Sequence, residues 1–255
     1  MVHDNTQRFP DFWVSQPVSA GARPEEFASA QAFFQTVSVL VMTVGGLAGA
    51  LLTLNPAFAT APIATMFLGT ALFTFPASLW MNKVGRKLGF IVGAFAGITG
   101  GGVASFAILN HSFALLCIGT FLIGAYQAFA QFYRFAASEV ASSDYRPKAI
   151  SLVMAGGIVA ALAGPLLARI GSQMLPTLYL GSFILVGFVS LCGMLVLTKL
   201  AVPSDTTSHL SRSVARPWQS VVSQPAYLVA LFSAASGYGI MILTMTATPP
   251  GNDAP

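Results

Sequence analysis

Residues 81–90 read MNKVGRKLGF, with three cations (Lys83, Arg86 and Lys87) set within five positions around Gly85. On either side lie residues 27–82 and 88–133, runs of 56 and 46 residues that contain no Asp, Glu, Lys or Arg. A bilayer crossing needs roughly 20 apolar residues, so each run is long enough to cross twice. The basic stretch is then a tight turn between crossings. Hydrocarbon offers no partner to an unpaired backbone group, which makes helices the economical way across.

Composition agrees. The 255 residues are 55% hydrophobic and only 8% charged, with a mean hydropathy of +0.73, whereas a soluble domain carries about 25% charged residues. A net charge of +4 and a pI near 9.3 do not point to nucleic acid, because such binders gather their cations on one soluble face. Here the cations punctuate apolar segments. Cys117 and Cys192 fall inside apolar runs and read as small buried hydrophobes without a disulfide framework. The first 30 residues carry Asp4, Asp11, Glu25 and Glu26 and no apolar core, so they are not a cleavable signal peptide. The first span must act as its own insertion signal. His3, His111 and His209 lie in the tail or in loops, and no nucleophile–base pair or ligand cluster is visible. The reading is therefore no enzyme, no metal and no cofactor.

Breaking the runs at Pro, Asn, Gly and charge clusters predicts seven spans, at residues 33–54, 62–81, 88–109, 112–133, 149–168, 175–198 and 226–246. Of the 12 Lys and Arg residues, 11 fall in the N-terminal tail and in the connections after the second, fourth and sixth spans, and only Arg169 falls on the other side. Basic residues stay in the cytoplasm, so the N-terminus is expected there, in a multi-pass protein of the cell membrane. The organisation follows: a cytoplasmic tail at 1–30, a six-helix domain at 31–201, a polar linker at 202–224, and a seventh span with a short tail at 225–255.

The stretch SLWMNKVGRK resembles the signature of the major facilitator superfamily between its second and third helices, G-x-x-x-D-R-x-G-R-R. Asn82 stands on the Asp position, Lys83 on the first Arg, Gly85 on the Gly, Arg86 and Lys87 on the final basic pair, and Ser78 on the first Gly. Asn82 can cap a helix but lacks the charge that in the family latches one conformation. In the fifth span, GGIVAALAGPLLAR is similar to the G-x-x-x-G-P pattern of drug–proton antiporters, with Gly164 and Pro165 at its end. Small-residue packing and a proline kink explain the same residues. Thr120 stands near the position of the Arg of the family's fourth-helix motif, and no carboxylate lies mid-membrane, so coupling to protons stays open. The resemblance implies an all-α bundle of two inverted three-helix repeats plus one further transmembrane helix. A short echo, KVGRKL against RIGSQM, aligns Gly85 with Gly171. It implies transport of a small solute by alternating access. Because the family has twelve spans, the chain reads as a truncated member, or as a non-transporting subunit that needs a second chain for the missing half.

In that family the first, fourth and seventh helices line the central cavity, which implicates Gln35, Gln127, Gln131 and Tyr238 in the solute pathway. Gln127, Gln131 and Arg134 recur at i, i+4 and i+7 and share one helix face. Polar side chains turn away from lipid, either toward an aqueous path or toward hydrogen bonds between helices, with Arg134 reaching the interface. At the cytoplasmic end, Asn82, Lys83, Arg86, Arg134 and Glu139 form a candidate gate, in which Glu139 bridges to Lys83, Arg86 or Arg146.

Overall fold

The structure, a computed structural model, describes residues 24–141, 145–200 and 224–247. The tail before Pro24, the linker at 201–223 and the last eight residues lie outside them. The described residues form eight α-helices: α1 Pro24–Leu52, α2 Ala61–Val84, α3 Arg86–Leu109, α4 Phe113–Ala130, α5 Tyr133–Val140, α6 Arg146–Gln173, α7 Leu180–Lys199 and α8 Pro225–Ala247. Taken with the continuation of α4 into α5, they make seven stretches long and apolar enough to cross a membrane.

Two boundaries differ from expectation for visible reasons. The first helix starts at Pro24 rather than near residue 33, within the stretch expected as tail. Proline suits a first helical position, Glu25 and Glu26 complement the positive helix end, and Phe27 and Ala30 are fully buried. The fourth span is interrupted after Ala130 by a turn at Gln131 and Phe132, and helix resumes at Tyr133. In the fifth span, Pro165 lies within the continuous α6.

The helices pack in a pattern that repeats itself. The first span lies on the fifth as the fourth lies on the second, and the first meets the sixth as the fourth meets the third. The third and sixth also pack on each other. Exchanging spans one, two and three with four, five and six leaves this pattern unchanged, as two related three-helix units require.

Small residues make the close contacts. The buried stripe of α6 is Ala149, Val153, Gly156, Ala160, Gly164, Ala168 and Gly171. A Cβ on Gly164 would lie 2.5 Å from Val39 Cγ1 of α1, so Gly164 serves helix packing. A Cβ on Gly124 of α4 would collide with the Met66 carbonyl oxygen of α2. Beside these contacts, the Thr65 and Thr120 hydroxyls meet at 2.8 Å and Thr70 Oγ1 donates to the Gly124 carbonyl at 3.1 Å. Tyr126 and Tyr133 are core residues, edge-on to Phe34 and Phe90.

Candidate functional site

Gly85 alone connects α2 to α3. It closes the first helix through its N–H to the Met81 carbonyl (2.9 Å) and stands at the N-cap of the second with φ +100 and ψ 152. That backbone region is essentially restricted to glycine. The tight turn thus follows from one residue. Asn82 sits inside the last turn of α2, exposed, and gives no side-chain cap to α3, contrary to the capping expectation. The helix reaches Val84 before it breaks, which leaves Asn82 three residues short of the cap position. The echo between Gly85 and Gly171 does not extend to conformation. Gly171 is helical, inside α6 against Ser182, and the left-handed residue of that connection is Tyr179 at φ 65.

Of the gate candidates, the fold joins Arg86 to Glu139. The Arg86 Nη2–Glu139 Oε1 distance is 2.5 Å, and the side chains are 27% and 30% exposed. Arg86 opens α3 and Glu139 is the penultimate residue of α5. A cation at a helix N-terminus and an anion at a C-terminus both oppose the helix dipole, so each charge offsets the other's misplacement. Lys83 is exposed and Lys87 half-buried. Arg134 is not part of this pair: it is exposed, with its guanidinium 5.0 Å over the Phe135 ring.

The polar residues of α4 open onto a cavity of about 520 Å³ bounded by Phe67, Thr70 and Ala71 of α2, by Gln127 and Gln131, and by Tyr238, Gly239 and Ile242 of α8. Among the described residues no charged side chain lines it. The Phe67 and Tyr238 rings meet edge-to-face at 6.2 Å. Gln127 is 6% exposed, and its Oε1 is buried with no hydrogen-bond partner. An acceptor in that state carries a desolvation penalty until a donor reaches it. The cavity therefore combines two carboxamides, two hydroxyls and an aromatic pair. Such a surface can hold an uncharged solute by hydrogen bonding and stacking.

The sequence assigned Gln127, Gln131 and Tyr238 to one pathway, and the fold brings them to one cavity. It does not bring Gln35 or Arg134 there. Gln35 is beside α6, its Nε2 3.8 Å from where a Gly157 Cβ would be, because α1 packs chiefly on α6. The turn after Ala130 ends the helical face that would have carried Arg134. Phe67 and Thr70, which also line the cavity, were not singled out from the sequence. Their signal was the spacing of Thr70 and Thr74 on one face of a charge-free span. Among the described residues no three His, Cys, Asp or Glu side chains gather as metal ligands.

The family model described as Major Facilitator Superfamily matches residues 52–251. The Riboflavin transporter RfnT of Brucella anthropi is 34% identical over 222 residues, which is 86% of this chain and 56% of the relative. The uncharacterized MFS-type transporter YdeG of Bacillus subtilis is 32% identical over 162 residues, 63% of this chain and 35% of that protein. The chain thus spans little more than half the length of the first relative and about a third of the second. With seven apolar helices, a repeated three-helix packing pattern and this match, the chain is a multi-pass membrane protein that belongs to the major facilitator superfamily.

Proposed function

We propose that the chain acts in secondary transport, moving an uncharged, largely planar small solute across the membrane by alternating access. The observation that carries this reading is the cavity beside α4, where the buried Gln127 Oε1 lacks a donor. A solute with N–H or O–H groups at its edge would meet the carboxamides and hydroxyls of the lining, and a flat ring would lie against Phe67 and Tyr238. A charged solute would find no counter-ion among the described residues of the lining. The name of the relative from Brucella anthropi makes riboflavin the first solute to test. The Arg86–Glu139 pair would act as the gate, tying α3 to α5 on the face where the cations gather, with the N-terminus cytoplasmic.

A second reading is favoured by α8. Over residues 225–244 none is buried, so the helix would gain a partner from a further bundle. On this reading the chain is a membrane subunit that works only with a second chain.

Riboflavin uptake into cells unable to make the vitamin tests both. Transport predicts uptake above the empty-vector level, and Gln127→Leu should lower it about tenfold at equal membrane abundance, the effect of one buried hydrogen bond. Uptake at the vector level with the chain present in the membrane would reject independent riboflavin transport. Co-purification of a second chain together with that result would support the subunit reading.

A further inference from the structure

Two tyrosines of the fourth span are buried with unused hydroxyls. Tyr126 of α4 and Tyr133, the first residue of α5, are both 0% exposed, and neither hydroxyl has a hydrogen-bond partner. They flank the turn at Gln131 and Phe132. Tyr126 turns away from the cavity that its neighbour Gln127 lines. Its ring stands edge-on to Phe34 of α1 at 5.4 Å, and its Cδ1 is 2.6 Å from where a Cβ on Gly97 of α3 would be. Its hydroxyl reaches α7, 3.1 Å from where a Gly193 Cβ would be. Tyr133 stands edge-on to Phe90 of α3 at 4.8 Å. Inside this enclosure the two hydroxyls approach one another without closing a hydrogen bond of good geometry.

A phenylalanine at either position would keep the ring contacts and carry no unsatisfied hydroxyl, which is costly to bury. The hydroxyls therefore call for a partner. Ser190 of α7 comes to the same glycine, 2.8 Å from the Gly97 Cβ position, but it donates to its own helix at the Val186 carbonyl (2.7 Å). Phe34, Phe90, Gly97 and Gly193 offer no side-chain donor, acceptor or charge. Nothing among these residues would balance an ion. A larger solute would find no opening, because both tyrosines are fully enclosed. A water molecule meets the need, since it both donates and accepts. A buried water takes about two to four polar partners, and the facing phenols supply two.

We propose that Tyr126 and Tyr133 hold one buried water between their hydroxyls, bonded to both at once. The water joins α4 to the start of α5, the element that carries Glu139. The site is separate from the solute cavity, and its test does not depend on transport.

The full chain in nanodiscs is given a brief synchrotron X-ray pulse, which turns water into hydroxyl radicals that oxidise the side chains touching it. The oxidised residues are then mapped by mass spectrometry. Tyr126 and Tyr133 should be oxidised despite their burial, whereas Phe183, buried as completely in α7, should not. In the double variant Y126F/Y133F both positions should fall to the Phe183 level, because the rings remain and only the partners of the water are gone. Each single variant, Tyr126→Phe or Tyr133→Phe, should lower the melting temperature in detergent by about 2–4 °C, the loss of one hydrogen bond. Tyrosines no more oxidised than Phe183, as a direct bond between the hydroxyls would give, would overturn the proposal. So would oxidation that persists in the double variant, or single variants that melt no lower than the parent, as dry and unsatisfied hydroxyls would give.

Discussion

Exchanging the two charges that join α3 to α5 is predicted to stabilise the protein. Arg86 begins α3 and Glu139 nearly ends α5, so each faces the helix pole of its own sign. Such a placement costs about 0.3–1 kcal/mol per charge, and a part-exposed ion pair returns about 0.2–1 kcal/mol. Arg86→Glu alone sets two carboxylates together, and Glu139→Arg alone sets two guanidinium groups together. Each single reversal loses the pair and gains a repulsion, together about 1 kcal/mol, but recovers about 0.6 kcal/mol at its helix pole, so it should lower stability by about 0.5 kcal/mol. The double variant R86E/E139R restores the pair and places both charges at favourable poles. Taking the low end of the dipole range, because α5 has only 8 residues, the gain over the parent is about 1 kcal/mol. For a chain of this size that is about 2–4 °C in melting temperature. The assay is thermal unfolding in detergent, read by a thiol-reactive dye at the free cysteines Cys117 and Cys192. A double variant that melts below both single reversals would refute the reasoning, since the contact would then depend on more than charge and helix polarity.

The other predictions are narrower. Gly85→Ala should cost about 1–3 kcal/mol, because φ +100 with ψ 152 is a glycine conformation even though the space around it is open; the same melting assay reads it. Gly124→Ala should cost about 1–3 kcal/mol by pushing a Cβ into the α2 backbone, while Gly102→Ala, with nothing nearby, should not destabilise. In a double-mutant cycle, Thr65→Val and Thr120→Val should couple by about 0.6 kcal/mol, the typical value for a hydrogen bond between membrane helices. Arg86→Ala in a transporting form should alter turnover and cysteine accessibility from each side more than it alters solute affinity. An effect confined to affinity would remove Arg86 from the gate.

Spans were legible because hydrocarbon enforces them: a charge-free run of 56 residues has few other ways to fold. The turn at residue 85 was legible for a related reason, since a lone glycine among cations between two apolar runs marks a helix break. Finer register was not. Asn82 looks like a cap because caps are defined by residue type, yet where α2 stops is decided by how far its hydrogen-bond ladder runs, and it runs to Val84. Gln127, Gln131 and Arg134 look like one face only while the helix is unbroken. The turn at 131 and 132 separates Arg134 from the glutamines, and no proline or glycine announces it. Gln35 lies apart from that cavity because α1 packs chiefly on α6, a neighbour that spacing within α1 does not reveal.

The buried oxygen of Gln127 ties these features together. A carboxamide could have been satisfied within α4 and α2 at little cost, since Thr65, Thr70 and Thr120 already bond across that interface. Those hydroxyls instead satisfy one another and backbone carbonyls, and the carboxamide oxygen is left without a donor. The hydroxyls hold the two helices at a fixed spacing, which the absence of a Cβ on Gly124 makes possible. That spacing aims Phe67 and Gln127 from different helices into one space. On the proposed reading, a solute held at this cavity would shift the equilibrium between conformations only by as much as it binds one of them better than the other.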